Sequence, residues 1–471
     1  MRRINGWVLA VIVFLGLYLL REIHLLNIQD TVLLIDIALL IGLSGWYFSR
    51  DAKEKKELLP WIRKSYMIGI VCFLMFLFLK AVNVFQVENG LGSISAIFFF
   101  TIVATVSITY IEKRSIAHHE KGILYYDNLD LLRYISSIII IVLHLRPFLG
   151  VSDGLDLAFN NIVSRTCVPI FFLITGYFVA KKEVDNPGYI NQYIKSMLPF
   201  YLFWSFLYIP VLLIWARDYF DIAWQFVGSL SISPYLLGLL SIFFIPIVLI
   251  IALIYTGTFY HLWYFPALFL SLIVLKKWKE KFSYKILLGI SFVLLLFGAT
   301  ETYFGMLPSS FQSLLSYYFK IFFTTRNFLF FGLFYVVLGY HVGKKKDPFR
   351  SYSFLKLLLS VYLLVIEGIL LQLTHRLNSN ILLSCVPLVY YLFLSLLYIG
   401  PLCSHALARK LRNLSKYYYL LHPMVIVLLD LCFPLFFKEY TIIKLIALLV
   451  ITHLLSTLIL RLKKRYPKWI L

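Results

Sequence analysis

The sequence predicts an all-α polytopic membrane protein of about 14 transmembrane helices, with N- and C-termini cytoplasmic. Composition predicts it first. Of 471 residues, 61% are hydrophobic and 14% charged, against roughly half and a quarter in a soluble domain. Mean hydropathy is +0.85. Pattern predicts it second: the apolar residues form long continuous runs, not the alternating segments of a membrane β-barrel. Third, the basic residues gather between the runs. A soluble enzyme and a disordered chain are excluded.

The first run follows Met1-Arg2-Arg3 and reaches Leu20. Arg21, Glu22 and His24 follow, where a signal peptide would carry small residues for cleavage, so this reads as a retained helix. Further runs lie near 31–49, 66–85, 92–111, 130–149, 161–180, 196–215, 261–275, 284–300, 325–342, 355–374, 380–400, 417–436 and 442–460. The run 235–256 is ambiguous, and the positive-inside rule decides it. With the N-terminus inside, 34 of the 44 Lys and Arg fall on the cytoplasmic side, among them Lys53, Lys113, Lys181, Lys276, Lys344, Arg409 and Lys463. A single crossing at 235–256 would invert every later loop and put Lys276–Lys281 outside. The segment 217–260 therefore reads as an outer-side excursion, either re-entrant, interfacial or a paired hairpin. Pro234 and Pro246 suit an interrupted helix in protein contact. The net charge of +21 is then topological, and no nucleic acid partner is implied. The five cysteines, Cys72, Cys167, Cys385, Cys403 and Cys432, show neither a disulfide framework nor zinc spacing. No metal is expected.

Polar residues divide the chain. Residues 1–112 form a four-helix membrane extension with few polar groups in its runs. A cytoplasmic linker, 113–128, leads to a ten-helix block at 129–462, and 463–471 is a basic tail. The block holds nearly all the intramembrane polar residues, and each is a functional candidate because burying it in lipid is costly. Asp130 and Arg133 stand ten intervening residues ahead of His144. Arg133 and His144 are about 16 Å apart along a helix and on one face. Arg165 lies four residues before Pro169, which removes a backbone bond and is expected to kink the helix, while Gly176 permits close helix approach. His261, Trp263 and Tyr264 open one helix from the outer side and Arg326 opens another. His422 precedes Pro423 within an apolar run. Singly, each has a structural reading: a snorkelling Arg, an interfacial His, an aromatic belt.

Taken as a set, these elements resemble the acyltransferase 3 family of integral membrane acyltransferases. The residues that carry the resemblance are Asp130-x2-Arg133-x10-His144, Arg165-x3-Pro169-Ile170-Phe171-Phe172-x2-Thr175-Gly176-Tyr177, Pro199-Phe200-Tyr201, His261-Leu262-Trp263-Tyr264, Arg326-Asn327 with Gly332 and Gly339-Tyr340, and Leu420-Leu421-His422-Pro423. It covers about 125–462. Thr175 stands where Ser is common, and Ser136 and Ser137 where small apolar residues are usual.

The resemblance implies transfer of an acyl group, usually acetyl, from cytoplasmic acyl-CoA to a hydroxyl of a cell-envelope glycan or lipid-linked sugar, in a bacterial plasma membrane. Acyl-CoA (acetyl-CoA) is then the donor substrate, and membrane lipid and envelope-biosynthesis proteins are the surroundings. The resemblance makes His144 the catalytic base or the nucleophile, with Arg165 and Arg326 stabilising the oxyanion or binding a sugar or phosphate. Arg133 and Asp130 become donor-binding residues, and His261, Trp263, Tyr177 and His422 substrate-binding ones. The alternative is a transporter or flippase for an envelope precursor or small solute, without catalysis. Buried Arg and His and kinks at Pro169 and Pro387 would suit it, but no inverted repeat is visible.

Overall fold

The computed structural model describes residues 124–149, 153–215, 234–345, 354–373 and 380–463. The four-helix extension 1–112, nearly all of the linker 113–128 and the basic tail past 463 lie outside the described residues. Within them the chain is helical and carries no strand.

Helix α1 (Asp127–Leu145) begins with Asp127 and Asp130 in its first turn, where negative charge suits the helix dipole. It stops at Arg146, whose backbone is left-handed (φ 48°). Pro147 follows and disfavours a further α-helical residue. After the short turn Asp153–Asp156 the chain changes period twice. A π turn (Leu157–Ile162) passes to a 3-10 turn (Val163–Thr166) and then to α2 (Cys167–Asp185). The change of period falls immediately ahead of Pro169, within the continuous helical stretch Gly154–Asp185, so the irregularity expected at this proline takes the form of π and 3-10 turns on its N-terminal side. Pro387 is in the first turn of its helix, Cys385–Tyr398.

Helix α3 (Tyr189–Trp215) is followed, past 216–233, by α4 (Pro234–Tyr255). Pro246 lies inside α4 and does not end it. Of the excursion 217–260, residues 217–233 lie outside the described residues. A tight turn at Gly257 (φ +77°) leads on, where a Cβ would come within 2.6 Å of Leu262. It delivers His261 and Trp263 to the start of α5 (Tyr264–Trp278). Then come α6 (Tyr284–Ala299), α7 (Ser309–Phe322), a π turn (Phe328–Gly332) running into α8 (Leu333–Lys344), α9 (Phe354–Leu373), α10 (Cys385–Tyr398), α11 (His405–Cys432), α12 (Pro434–Glu439) and α13 (Thr441–Leu462). Helix α7 was not anticipated. It falls between apolar runs because it is amphipathic, with Leu315 buried and Leu314, Tyr317 and Ile321 exposed.

The core is organised around α2 and α8. A Cβ on Gly176 would lie 2.2 Å from the Val336 carbonyl oxygen, and one on Gly339 would lie 2.0 Å from that of Leu173. The two glycines thus let the backbones cross in contact, as small residues do in membrane helix pairs. Helix α11 packs between α1 and α13. One end of the bundle is basic and tied by ion pairs. Lys279 donates to Glu183 at 2.7 Å, and Tyr340 donates to the same carboxylate at 2.6 Å. Asp130 is bridged by Arg133 at 3.0 Å and Arg412 at 3.3 Å.

The outer surface is that of a membrane protein. Helix α13 exposes Ile443, Ile446, Val450, Leu454 and Leu458, a stripe at helical spacing that water would not tolerate but lipid does. Four of the described helices, Asp127–Leu145, Gly154–Asp185, Tyr189–Trp215 and Thr441–Leu462, are long and apolar enough to cross a bilayer.

The α2–α8 crossing makes Gly339→Ala destabilising by roughly 1–3 kcal/mol, the usual range for overpacking. Gly154→Ala, which meets nothing within 4 Å, is the control. Thermal unfolding of the detergent-purified protein should show a lowered midpoint for the first variant and none for the second.

Candidate active site

The sequence scatters its intramembrane polar residues over nearly 300 positions, and the fold returns many of them to one place. A cavity of about 270 Å³ is lined by His144 of α1, Ser164 and Arg165 of the 3-10 turn, Tyr260, His261 and Trp263 ahead of α5, Arg326 before the second π turn, Asn380 before α10 and Tyr419 of α11. Ile140, Leu143, Val168 and Phe331 complete the wall. His144 is eleven residues beyond Arg133, about 16 Å along α1, so the cavity lies well away from the basic end.

His422 does not line the cavity. It stands behind His144, fully buried, and the His144 Nδ1 to His422 Nε2 distance is 2.8 Å, with the rings within 6° of parallel. The other nitrogen of His422, Nδ1, lies 2.9 Å from the Tyr418 carbonyl oxygen one turn back. Pro423, next in sequence, has no N–H and leaves the Tyr419 carbonyl without its usual helical donor. These partners dictate the proton positions. A carbonyl only accepts, so His422 carries its proton on Nδ1. With His422 neutral, its Nε2 accepts, and His144 donates from Nδ1. The lone pair of His144 Nε2 is then left without a partner among the described residues. Tyr260 packs edge-on against His144, its ring centroid 4.8 Å away.

The two arginines occupy irregular backbone. Arg165 follows the first π turn, and its Nη1 donates to Asn380 Oδ1 at 3.5 Å. Arg326 precedes the second, with its guanidinium carbon 5.1 Å from the Trp263 ring centroid, a cation–π contact. Asn327 caps that π turn, its Oδ1 accepting from Leu329 N (3.0 Å) and Phe330 N (3.1 Å). The Nε atoms of both arginines are buried with no partner among the described residues. So are both ring nitrogens of His261, whose side chain is 1% exposed. Glu301 lies just behind. Its carboxylate accepts from Asn380 Nδ2 (2.7 Å), Thr324 Oγ1 (2.8 Å), Thr325 N (2.6 Å) and Thr325 Oγ1 (2.8 Å), which fixes the loop that presents Arg326. Tyr419 donates its hydroxyl to the His261 carbonyl, joining α11 to the turn before α5.

Three of the candidate residues lie elsewhere. Tyr177 is 1% exposed and packs on Phe178 and Phe393. It belongs to the core, because α2 turns that face towards α10. Arg133 and Asp130 sit at the basic end, Arg133 also lying 5.3 Å from the Phe178 ring centroid. Asp130 is a counter-ion for Arg133 and Arg412, not a group free to meet a ligand. Sequence reasoning overlooked Tyr260, Asn380, Glu301 and Arg412. Glu301 alone had a legible signal, an acid at the end of an apolar run. Among the described residues no cluster of three or more His, Cys, Asp or Glu forms a metal site.

The helical membrane bundle and this His–Arg cavity define a membrane enzyme class. A model of the acyltransferase domain family, acyltransferase 3, matches residues 126–461, and the chain belongs to that family. It is also similar to two proteins named amino-acid racemase from Enterococcus faecalis. The first is 27% identical over 353 residues, 72% of this chain and 46% of the relative. The second is 24% identical over 283 residues, 58% of this chain and 36% of the relative. A serine/alanine racemase from Enterococcus gallinarum is 28% identical over 308 residues, 63% and 40% of the two lengths. The chain therefore spans less than half the length of these relatives. No solved structure matches it.

The hydrogen-bond chain has a spectroscopic consequence. In protein labelled with ¹⁵N-histidine, His144 and His422 should both carry their proton on Nδ1. Replacing His422 with Ala should abolish that preference at His144. An Nε2-protonated His144 in the wild type would contradict the assigned geometry.

Proposed function

We propose that the protein transfers an acyl group, acetyl in the simplest case, from cytoplasmic acyl-CoA to a hydroxyl of a cell-envelope glycan or lipid-linked sugar at a bacterial plasma membrane. The observation that carries the reading is the unpartnered Nε2 of His144, oriented by His422 and set in a cavity with two arginines. That is the arrangement a general base needs when its reaction develops an oxyanion.

Each residue has a step. The acceptor hydroxyl gives its proton to His144 Nε2 as its oxygen attacks the thioester carbonyl. The carbonyl oxygen becomes an oxyanion, which Arg326, held by Trp263 and the Glu301 loop, stabilises by charge and N–H donation. The carbon–sulfur bond then breaks, and the CoA thiolate recovers the proton from His144. His422 acts through His144 and is a positioning residue. As His144 becomes an imidazolium, its Nδ1–H bond to His422 strengthens. Arg133 and Arg412, paired on Asp130 at the basic end, suit the phosphates of the donor. The pantetheine arm would then bridge the 16 Å or so between that end and His144.

The racemase activity in the names of the Enterococcus relatives belongs to proteins of which this chain matches less than half, whereas the family model covers most of this chain. Acyl transfer is accordingly the activity that the chain's own residues support. A carrier without catalysis is the reading that the decisive experiment separates from it.

That experiment measures CoA release from acetyl-CoA by the detergent-purified protein. Wild type should release CoA, and His144→Ala should lose on the order of 10²–10⁴ in rate, the contribution of a positioned base. Wild-type protein that binds no acetyl-CoA and releases no CoA would favour the carrier. His422→Ala should lower the rate by roughly 10- to 100-fold with little change in the KM for acetyl-CoA. His422→Gln, whose amide oxygen can accept from His144 Nδ1, should recover part of it. Equal rates in the Ala and Gln variants would argue against positioning.

A further inference from the structure

We propose that the cavity contains an oxyanion subsite for the acceptor. Arg165, with Asn380 beside it, would hold a carboxylate or phosphate that the acceptor carries next to its reacting hydroxyl. The proposal rests on the acyl-transfer reading and narrows its acceptor to an anion.

Charge is the first argument. The cavity lining includes Arg165 and Arg326 and no carboxylate. The acids nearby are occupied. Glu301 accepts from Asn380, Thr324 and Thr325, and Asp156 accepts from Arg146 at 2.6 Å and from Asn160. A buried guanidinium is costly unless other partners replace the hydration that burial removes. Here the Nε of each arginine is buried without a partner, as are both nitrogens of His261. An anion with several lone pairs satisfies such a site. A neutral hydroxyl satisfies the hydrogen bonds and leaves the charge.

The two arginines differ in their neighbours. Arg326 stacks on the Trp263 ring, and the loop that carries it is fixed by Glu301, which suits it to the reacting carbonyl. Arg165 donates to Asn380. Arg146 is half-exposed, 48% by side chain, and ends α1 two residues past His144. Asp156 is its ion-pair partner at 2.6 Å, so the charge of the cavity rests on Arg165 and Arg326. Size is the last argument. At about 270 Å³ the cavity is below the usual range for a drug-sized ligand, roughly 300–1,000 Å³. Its enclosed part suits a small hydroxy acid or a single terminal sugar phosphate.

The test uses the full chain in detergent with acetyl-CoA and four acceptors: glycerol, L-serine, sn-glycerol 3-phosphate and decyl-phosphoglucose. Acetylated product is followed by mass. The anionic acceptors should exceed glycerol in kcat/KM by about tenfold or more, the scale of a charge-assisted Arg pair. In Arg165→Gln their KM should rise by about the same factor and the advantage should vanish. Arg165→Lys should fall between. Preference for serine identifies a small free acid as the source of the anion, and preference for the decyl phosphate identifies a lipid-linked one. Glycerol matching the anions in wild type, or Arg165→Gln weakening all four acceptors alike, would overturn the proposal. Absence of His144-dependent CoA release would overturn the acyl-transfer reading instead. In that case, or if no acceptor is acetylated, thermal shift decides. Stabilisation by serine or glycerol phosphate that Arg165→Gln removes supports the subsite, and no stabilisation of wild type overturns it.

Discussion

The hydrogen bond between His144 and His422 sets the chemistry of the cavity, and it depends on the backbone of another helix. The Tyr418 carbonyl takes the Nδ1 proton of His422, and His422 Nε2 takes that of His144. Each link has a single allowed direction because its end is a carbonyl, which cannot donate. The protein thus directs a lone pair towards the cavity without placing a carboxylate behind the base. In a membrane interior this has a physical advantage. A buried carboxylate would need its own compensation, whereas a helix carbonyl is already there. It also ties the base to α11, the helix that lies between α1 and α13, so the orientation of His144 reports the packing of three helices.

The arginines pose the opposite problem, since their charge must be kept in the bilayer. The protein does this with irregular backbone. Both arginines adjoin π turns, where a wider helix re-aims side chains and frees backbone groups, a recurring feature of functional sites. Asn327 satisfies the freed N–H groups of one turn. Ser164 does similar service in the other, donating its hydroxyl to the Asn160 carbonyl at 2.7 Å. Glu301 supplies negative charge from behind the wall, not within it. The lining itself keeps Arg165 and Arg326 and no carboxylate.

These features differ in how far the sequence reveals them. His144, Arg165, His261, Trp263 and Arg326 stood out because polar groups within apolar runs are rare and costly, and all five line one cavity. The glycine at 176 was legible as a helix contact for the same reason of steric cost. Tyr177 sits in the same motif as Gly176, yet it points into the core. A motif read as a line cannot say which face of the helix each member occupies. The period changes between 157 and 166 were hidden too, since nothing in Leu157–Thr166 departs from an ordinary amphipathic pattern. His422 was visible as a polar group, but its task was not, because the partner that defines it is 278 positions away.

The crossing of α2 and α8 joins these observations. Arg165 lies just ahead of α2, and Arg326 just ahead of α8, separated from it by a π turn. The two helices touch backbone to backbone through Gly176 and Gly339, nearer than any other pair of side chains would allow. Contact at bare backbone leaves the two helices little freedom to slide, so the segments that carry Arg165 and Arg326 run into a closely fitted junction. For the proposed anion site such a scaffold supplies preorganisation, with the reorganisation cost already met by the fold.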